Sequence, residues 1–258
     1  MMLALRSGNA SVAARMPDLL AVPFLVCAVV ACIAGAVRGF AGFGAAMIMT
    51  PVFSGLYGPA VGVVLCLLLE VAVALPVVPS VVRFVDWRRI GLLLVGAAVG
   101  VPLGNFVLTS SEPEPMRWAI SAIVLGAVVL LASGWRFARQ PHTTTTLTAG
   151  VSSGFLNGLA GMAGPPIAFY YLAGNETATR VRANLTTYFV FVDLVAITTF
   201  AARELVGRDT LVLGLFLAPA VMLGGVIGVR LFPLASEAFY RRLALVLLVG
   251  VAIGSLIL

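Results

Sequence analysis

Lysine is absent: all 16 basic residues are arginine, set against 10 acidic residues and a single histidine. Charged residues make up 10% of the 258, where a soluble domain carries about 25%. So few ionic groups cannot cover a water-facing surface, and an independent extramembrane enzyme is excluded. Cysteine is scarce too. Cys27, Cys32 and Cys66 lie inside apolar runs, are odd in number and lack a metal-type spacing, which argues against a disulfide framework or metal cluster and for small packing residues. His142 stands alone before four threonines, without metal-ligand companions, and is expected in a solvated polar linker. Ser152 and Ser153 precede Gly154 without a nearby base, so no nucleophile is expected. No catalytic residue, metal or cofactor is therefore predicted. The pI of 9.9 suggests nucleic acid, but the arginines sit singly or in pairs between apolar runs and form no basic patch, so no nucleic-acid partner is expected.

What fills the chain is apolar: 61% of residues, with a mean hydropathy of +1.12. A span needs roughly 20 apolar residues. Uncharged or nearly uncharged runs occupy 19–37, 39–69, 90–111, 118–135, 143–175, 210–229 and 243–258. Two more spans emerge when one central acid is allowed, 61–82 around Glu70 and 183–202 around Asp193. The chain is thus expected to be an all-α polytopic membrane protein, with membrane lipid as its surroundings. Arg6 and Arg15 precede an apolar stretch that continues to Val37 without an obvious cleavage site, so residues 1–18 are expected to be a tail and not a removed signal peptide.

The two halves repeat. Gly35, Arg38, Gly39 and Gly42 recur 119 positions later as Gly154, Asn157, Gly158 and Gly161. Further on the shift becomes 124, where Gly100, Gly104, Arg117 and Gly126 match Gly224, Gly228, Arg241 and Gly250. Duplication explains this better than chance. It predicts repeat 1 over 19–136, a connecting loop over 137–142 and repeat 2 over 143–258. Each half starts with a Gly-rich broken segment followed by three spans. The pieces at 147–160 and 165–172 are too short to cross about 30 Å and suit a re-entrant hairpin, which makes the halves inverted relative to one another. Placing Arg83, Arg88 and Arg89 in the cytoplasm puts ten arginines inside and five outside, the sign the positive-inside rule requires.

The chemistry is expected at the Gly-rich segments, Gly35 to Pro51 and Ser153 to Leu172. One reading makes their glycines a close-packed helix face. Pro165 directly after Gly164 favours another, a break at Gly161 to Gly164 with a new helix at Pro165, because proline suits the first helical turn. A helix beginning near the membrane centre points unpaired N–H groups and the positive end of its dipole at that spot, a ready anion site. Two such starts, near Gly44 and Gly164, are expected to face each other. Arg38 at this depth needs a partner or a cavity. It is assigned as substrate anchor, with an ion pair to Glu70 or Asp193 or snorkelling to an interface as the alternatives. Asn157, its counterpart, supplies amide hydrogen bonds to the same ligand or links helices. The candidate substrate-binding set is Arg38, Gly42, Gly44, Asn157, Gly161 and Gly164. Glu70 and Asp193 are candidates for proton or sodium coupling, or else structural acids. Asn184, Thr186, Thr187 and Tyr188 line a path or hold helices together.

The motifs GFAGFGAAMIMTP and GLAGMAGPP resemble the twin Gly-rich signatures of the TauE/SafE sulfite exporter family, also called sulfonate uptake permeases, and the resemblance runs over 19–258. It implies about eight spanning helices arising by duplication and movement of sulfite, organosulfonates or related small organic acids across the bacterial inner membrane. The chain departs from a fuller triple-glycine version at Ala45 and Ala46, and at Ala163 and Pro165. The expected activity is ion-coupled secondary transport of a small anion by alternating access. A passive anion channel and a non-transporting scaffold subunit are the alternatives.

Overall fold

A computed structural model describes residues 22–110, 142–172, 174 and 176–234, together with positions 236, 239 and 246. Every regular element among them is helical. In chain order these are α1 (Val22–Ala41), α2 (Ala45–Tyr57), α3 (Pro59–Ala74), α4 (Val78–Val81), α5 (Trp87–Ser110), α6 (Thr143–Ala160), α7 (Gly164–Leu172), α8 (Ala178–Ala201) and α9 (Arg208–Leu231), with 3-10 turns at Val82–Phe84 and Phe232–Leu234. The expected span at 118–135, that at 243–258 apart from position 246, the tail 1–18 and most of the loop 137–142 lie outside the described residues.

Among the described residues, four helices are long and apolar enough to cross a membrane, and a fifth span results if the bent pair Pro59–Ala74 and Val78–Phe84 counts as one. That pair bends by 53°. The span expected at 61–82 is thus bent: Pro76 and Pro79 cannot donate to the helix ladder, and α3 stops at Ala74. Large apolar side chains such as Val29, Val95, Leu215 and Leu223 cover the outside, as contact with lipid tails requires.

Two helix pairs hold the halves together, and both are built on glycine. A Cβ on Gly96, Gly100 or Gly104 of α5 would come within 2.4, 2.2 and 2.0 Å of the carbonyl oxygens of Leu147, Val151 and Phe155 of α6. Gly150, Gly154 and Gly158 of α6 press equally closely on Leu93, Ala97 and Val101. Likewise Gly35 and Gly39 of α1 meet Val221 and Gly225 of α9, while Gly224 and Gly228 meet Cys32 and Ala36. Lipid tails are as apolar as leucine, so helices here adhere by backbone proximity, and any side chain at these positions separates them. Among the described residues, the matched pairs Gly35 and Gly154, Gly39 and Gly158, Gly100 and Gly224, and Gly104 and Gly228 take equivalent places. The first helix of each half lies on a late helix of the other.

Contacts also fix direction. Rising residue numbers run together in α1 and α9, and in α3 and α9, where Leu65 and Leu68 touch Gly214 and Val73 touches Gly225. α2 runs the other way, with Ser54 beside Gly62 and Ala46 beside Glu70. In the second half α6 and α8 run together, through Ser153 to Tyr188 and Asn157 to Asp193, while α7 returns along α6 with Ala163 beside Ser153 and Tyr170 beside Thr146. Each half thus starts with a helix, a break, and a second helix folding back. α5 runs with α8, Asp86 bonding Asn184 and Asn105 bonding Thr199.

One dimension departs from expectation. α6 has 18 residues and starts at Thr143, so at 1.5 Å per residue it reaches about 27 Å instead of falling well short of the bilayer. The threonines join the helix because their hydroxyls find partners there. Thr146 Oγ1 donates to the His142 carbonyl (3.2 Å) and shares a hydrogen bond of 2.9 Å with Tyr170. α7, with nine residues, remains too short to cross.

Candidate functional site

Both Gly-rich segments break where expected. α1 ends at Ala41, Gly42 and Gly44 take φ of +81° and +98°, and α2 begins at Ala45. α6 ends at Ala160, Gly161 takes φ +67°, and α7 begins at Gly164, one residue before the expected start. Left-handed backbone of this kind suits glycine because other L-residues strain there. Gly161 still donates its N–H to the Asn157 carbonyl (2.8 Å), and Gly42 to that of Arg38 (2.8 Å), closing the helix ends.

The breaks meet at one cavity. Arg38, Gly44, Glu70, Gly161, Gly164 and Asp193 line it, together with Ala46, Met47, Ala163 and Phe189. Its volume is about 10 Å³, room for about one water. Phe189 and Asp193 place it near the middle of the 24-residue α8. Of the expected substrate-binding set, Arg38, Gly44, Gly161 and Gly164 reach the cavity. Gly42 packs instead against Arg182, and Asn157 stands behind Asp193.

Arg38 is 3% exposed, Glu70 5% and Asp193 2%. Arg38 Nε lies 2.8 Å from Glu70 Oε2, Nη1 donates to the Gly42 carbonyl, and the guanidinium sits 4.7 Å from the Phe189 ring centre. The ion-pair alternative for Arg38 is therefore realised, with Glu70 as its partner. Its Nη2 has no hydrogen-bond partner among the described residues. Glu70 Oε1 accepts the N–H of Ala46 at 2.8 Å, so Glu70 caps the start of α2 while it neutralises Arg38.

That cap corrects one expectation. The start of α2 was read as offering open amides to a ligand, yet the Ala46 amide is held by a carboxylate of the protein itself. At the start of α7, Pro165 and Pro166 have no N–H to offer. Arg38 is the cationic side chain that lines the cavity.

The second half repeats this arrangement with neutral chemistry. Asn157 Nδ2 donates to Asp193 Oδ1 at 3.1 Å, the place that Arg38 and Glu70 hold in the first half. Asn157 Oδ1 and Asp193 Oδ2 are both buried without hydrogen-bond partners among the described residues. Tyr188 donates to Ser153 Oγ (3.0 Å), and Ser153 donates to the Ala163 carbonyl (2.7 Å), pinning the second break. Arg182, counted among the ten cytoplasmic arginines, is buried, donates from Nε and Nη2 to the Gly39 carbonyl (3.1 and 2.6 Å) and stacks on Phe232. A third group, Asp86, Arg89, Glu176 and Asn184, ties the start of α5 to the segment before α8. Thr187 Oγ1 is buried, and Thr186 is buried as well.

Broken helical hairpins that meet around a buried arginine, among helices long and apolar enough to cross a membrane, define a multi-pass membrane protein. The family profile described as "Sulfite exporter TauE/SafE" matches residues 27–255, and the chain belongs to that family of transmembrane transporters. It is similar to the "Probable sulfite/organosulfonate exporter TauE" of Cupriavidus necator, 27% identical over 216 residues, covering 81% of this chain and 84% of the relative. No solved structure matches it. A bacterial relative is in keeping with residence in the inner membrane.

Proposed function

We propose that the protein is a secondary carrier of a small sulfur oxyanion or sulfonate, sulfite or an organosulfonate or a related carboxylate, working by alternating access and coupled to an ion through the buried acids. The observation that carries this reading is Arg38, buried beside the cavity with Nη2 still unengaged. A buried donor left without an acceptor costs about 1–3 kcal/mol, and a guanidinium suits a planar or tetrahedral oxyanion. The anion takes the open side of Arg38 while Glu70 keeps the other.

Two inverted repeats supply the moving parts. The chain passes from Glu70, which shares the cavity with Asp193, to Asp86 beside Asn184, so α3 and its continuation run against α8. With α1 and α3 parallel to α9, and α6 parallel to α8, the opening helices of the halves point in opposite directions. Arg83, Arg88, Arg89, Arg180 and Arg230 gather at one end and Arg203 and Arg208 at the other, which supports the first end as cytoplasmic. A cavity fit for one water does not hold sulfite, so the hairpins must part at Gly42 to Gly44 and at Gly161 to Ala163 to admit it. That need for movement favours a carrier over a passive channel.

The test is a thermal-shift screen of detergent-purified protein with sulfite, taurine, isethionate and sulfoacetate. At least one stabilises the wild type, and Arg38→Ala removes the shift while the protein remains monodisperse. Equal shifts in both remove Arg38 from the site, and none in either favours a scaffold subunit.

A further inference from the structure

Resting on the carrier reading above, the structure suggests how the ion is coupled. We propose that Asn157 and Asp193 form a one-proton switch, the removable counterpart of the fixed Arg38–Glu70 pair, and that the substrate anion travels together with that proton.

The case begins with the two halves compared side by side. Residues at matched positions make matched contacts: Arg38 to Glu70 in the first half, Asn157 to Asp193 in the second. In the first half the carboxylate is complete, with Oε2 on the guanidinium and Oε1 on the Ala46 amide. In the second it is not. Asp193 Oδ2 and Asn157 Oδ1 are two buried acceptors without donors among the described residues, on groups already joined by one hydrogen bond. A carboxylic acid and a primary amide pair through two hydrogen bonds, N–H to oxygen and O–H to oxygen. A single proton on Asp193 Oδ2, donated to Asn157 Oδ1, completes that pair and satisfies both atoms. A sodium ion would satisfy the acceptors only by displacing the Asn157 N–H bond and adding further oxygens in a space of about one water.

Charge counting gives the direction of coupling. The groups facing Asp193 are Arg38 from α1, Glu70 and Cys66 from α3, Asn157 from α6 and Tyr188 on its own helix. With Arg38 and Glu70 cancelling, an ionised Asp193 leaves the buried site at one negative charge, and an incoming anion doubles it. A protonated Asp193 leaves it neutral. The anion and the proton therefore favour one another and occupy the carrier in the same step, which makes the protein a proton–anion symporter. Glu70 has both oxygens engaged, by Arg38 and by the Ala46 amide.

Isethionate is the probe, because its sulfonate stays ionised across the pH range used, with sulfite run in parallel. In proteoliposomes clamped at zero membrane potential, one pH unit, acid on the side of entry, drives wild-type isethionate to about tenfold accumulation for one proton per anion. A pH dye trapped inside reports protons entering with it. The thermal shift from isethionate weakens in the wild type as pH rises from 5 to 8 and is flat with pH in Asp193→Asn, which also loses the gradient-driven accumulation. Accumulation that ignores the pH gradient, follows a sodium gradient, or persists at tenfold in Asp193→Asn overturns the switch. So does isethionate entry without dye response, a wild-type readout independent of how the variant folds. Failure of the wild type to exchange either anion instead sinks the carrier reading itself.

Discussion

Glu70 holds two loose ends at once, so its removal makes a demanding test of the packing around the cavity. Glu70→Ala strands the Arg38 guanidinium, 3% exposed, without its counter-ion, and leaves the Ala46 N–H without an acceptor. Removing one partner of a buried ion pair costs about 3–5 kcal/mol. Glu70→Gln keeps an oxygen for the Ala46 amide and loses only the charge, so the two variants should differ by the amide's share, about 1–3 kcal/mol. The double variant Arg38→Met/Glu70→Ala removes the stranded cation as well and should cost less than the two single changes added, with a coupling energy of about 1–3 kcal/mol. Reversible unfolding in bicelles, followed by steric trapping, measures the wild type, Glu70→Ala, Glu70→Gln, Arg38→Met and the double variant. If Glu70→Ala lies within about 1 kcal/mol of the wild type, the pair is not dry and the reasoning from burial fails.

Two further predictions concern glycine. Gly39→Val places a Cβ 2.2 Å from the Gly225 carbonyl oxygen and should cost at least about 1–3 kcal/mol in the same unfolding assay, and a variant as stable as the wild type contradicts the close α1 to α9 approach. Gly161→Ala meets no neighbour closer than 3.5 Å but must adopt φ +67°; strain of about 1–2 kcal/mol is expected together with slowed anion exchange, and unchanged exchange would argue against a hinge at the second break.

The breaks were legible because glycine and proline act locally. Gly164 before Pro165 announced a helix start to within a residue, and the matched glycines showed where helices touch. Pro76 and Pro79 were equally local signals for the bend after α3, and hydropathy over 61–82 masked them. The partner of Arg38 was not legible, since sequence distance says nothing about which of two buried acids a side chain reaches across a fold. The repeat held a hint even so: Arg38 and Asn157 match at one shift, Glu70 and Asp193 at nearly the same one, and each pairs within its own half. Arg182 escaped notice because an arginine near a helix start usually lies in solvent, and only tertiary packing reveals the Gly39 carbonyl it serves. The piece expected at 147–160 left out the four threonines before it, yet in the helix the Thr146 hydroxyl bonds to the His142 carbonyl and to Tyr170.

The central claim is that a small anion sits on the open side of Arg38 where the two hairpins meet. Counterflow of labelled sulfite into proteoliposomes preloaded with unlabelled sulfite tests it most directly, since exchange needs a binding site and no driving force. The account predicts rapid exchange by the wild type and its loss in Arg38→Ala protein that still reconstitutes as folded material. Exchange by that variant at the wild-type rate would contradict it.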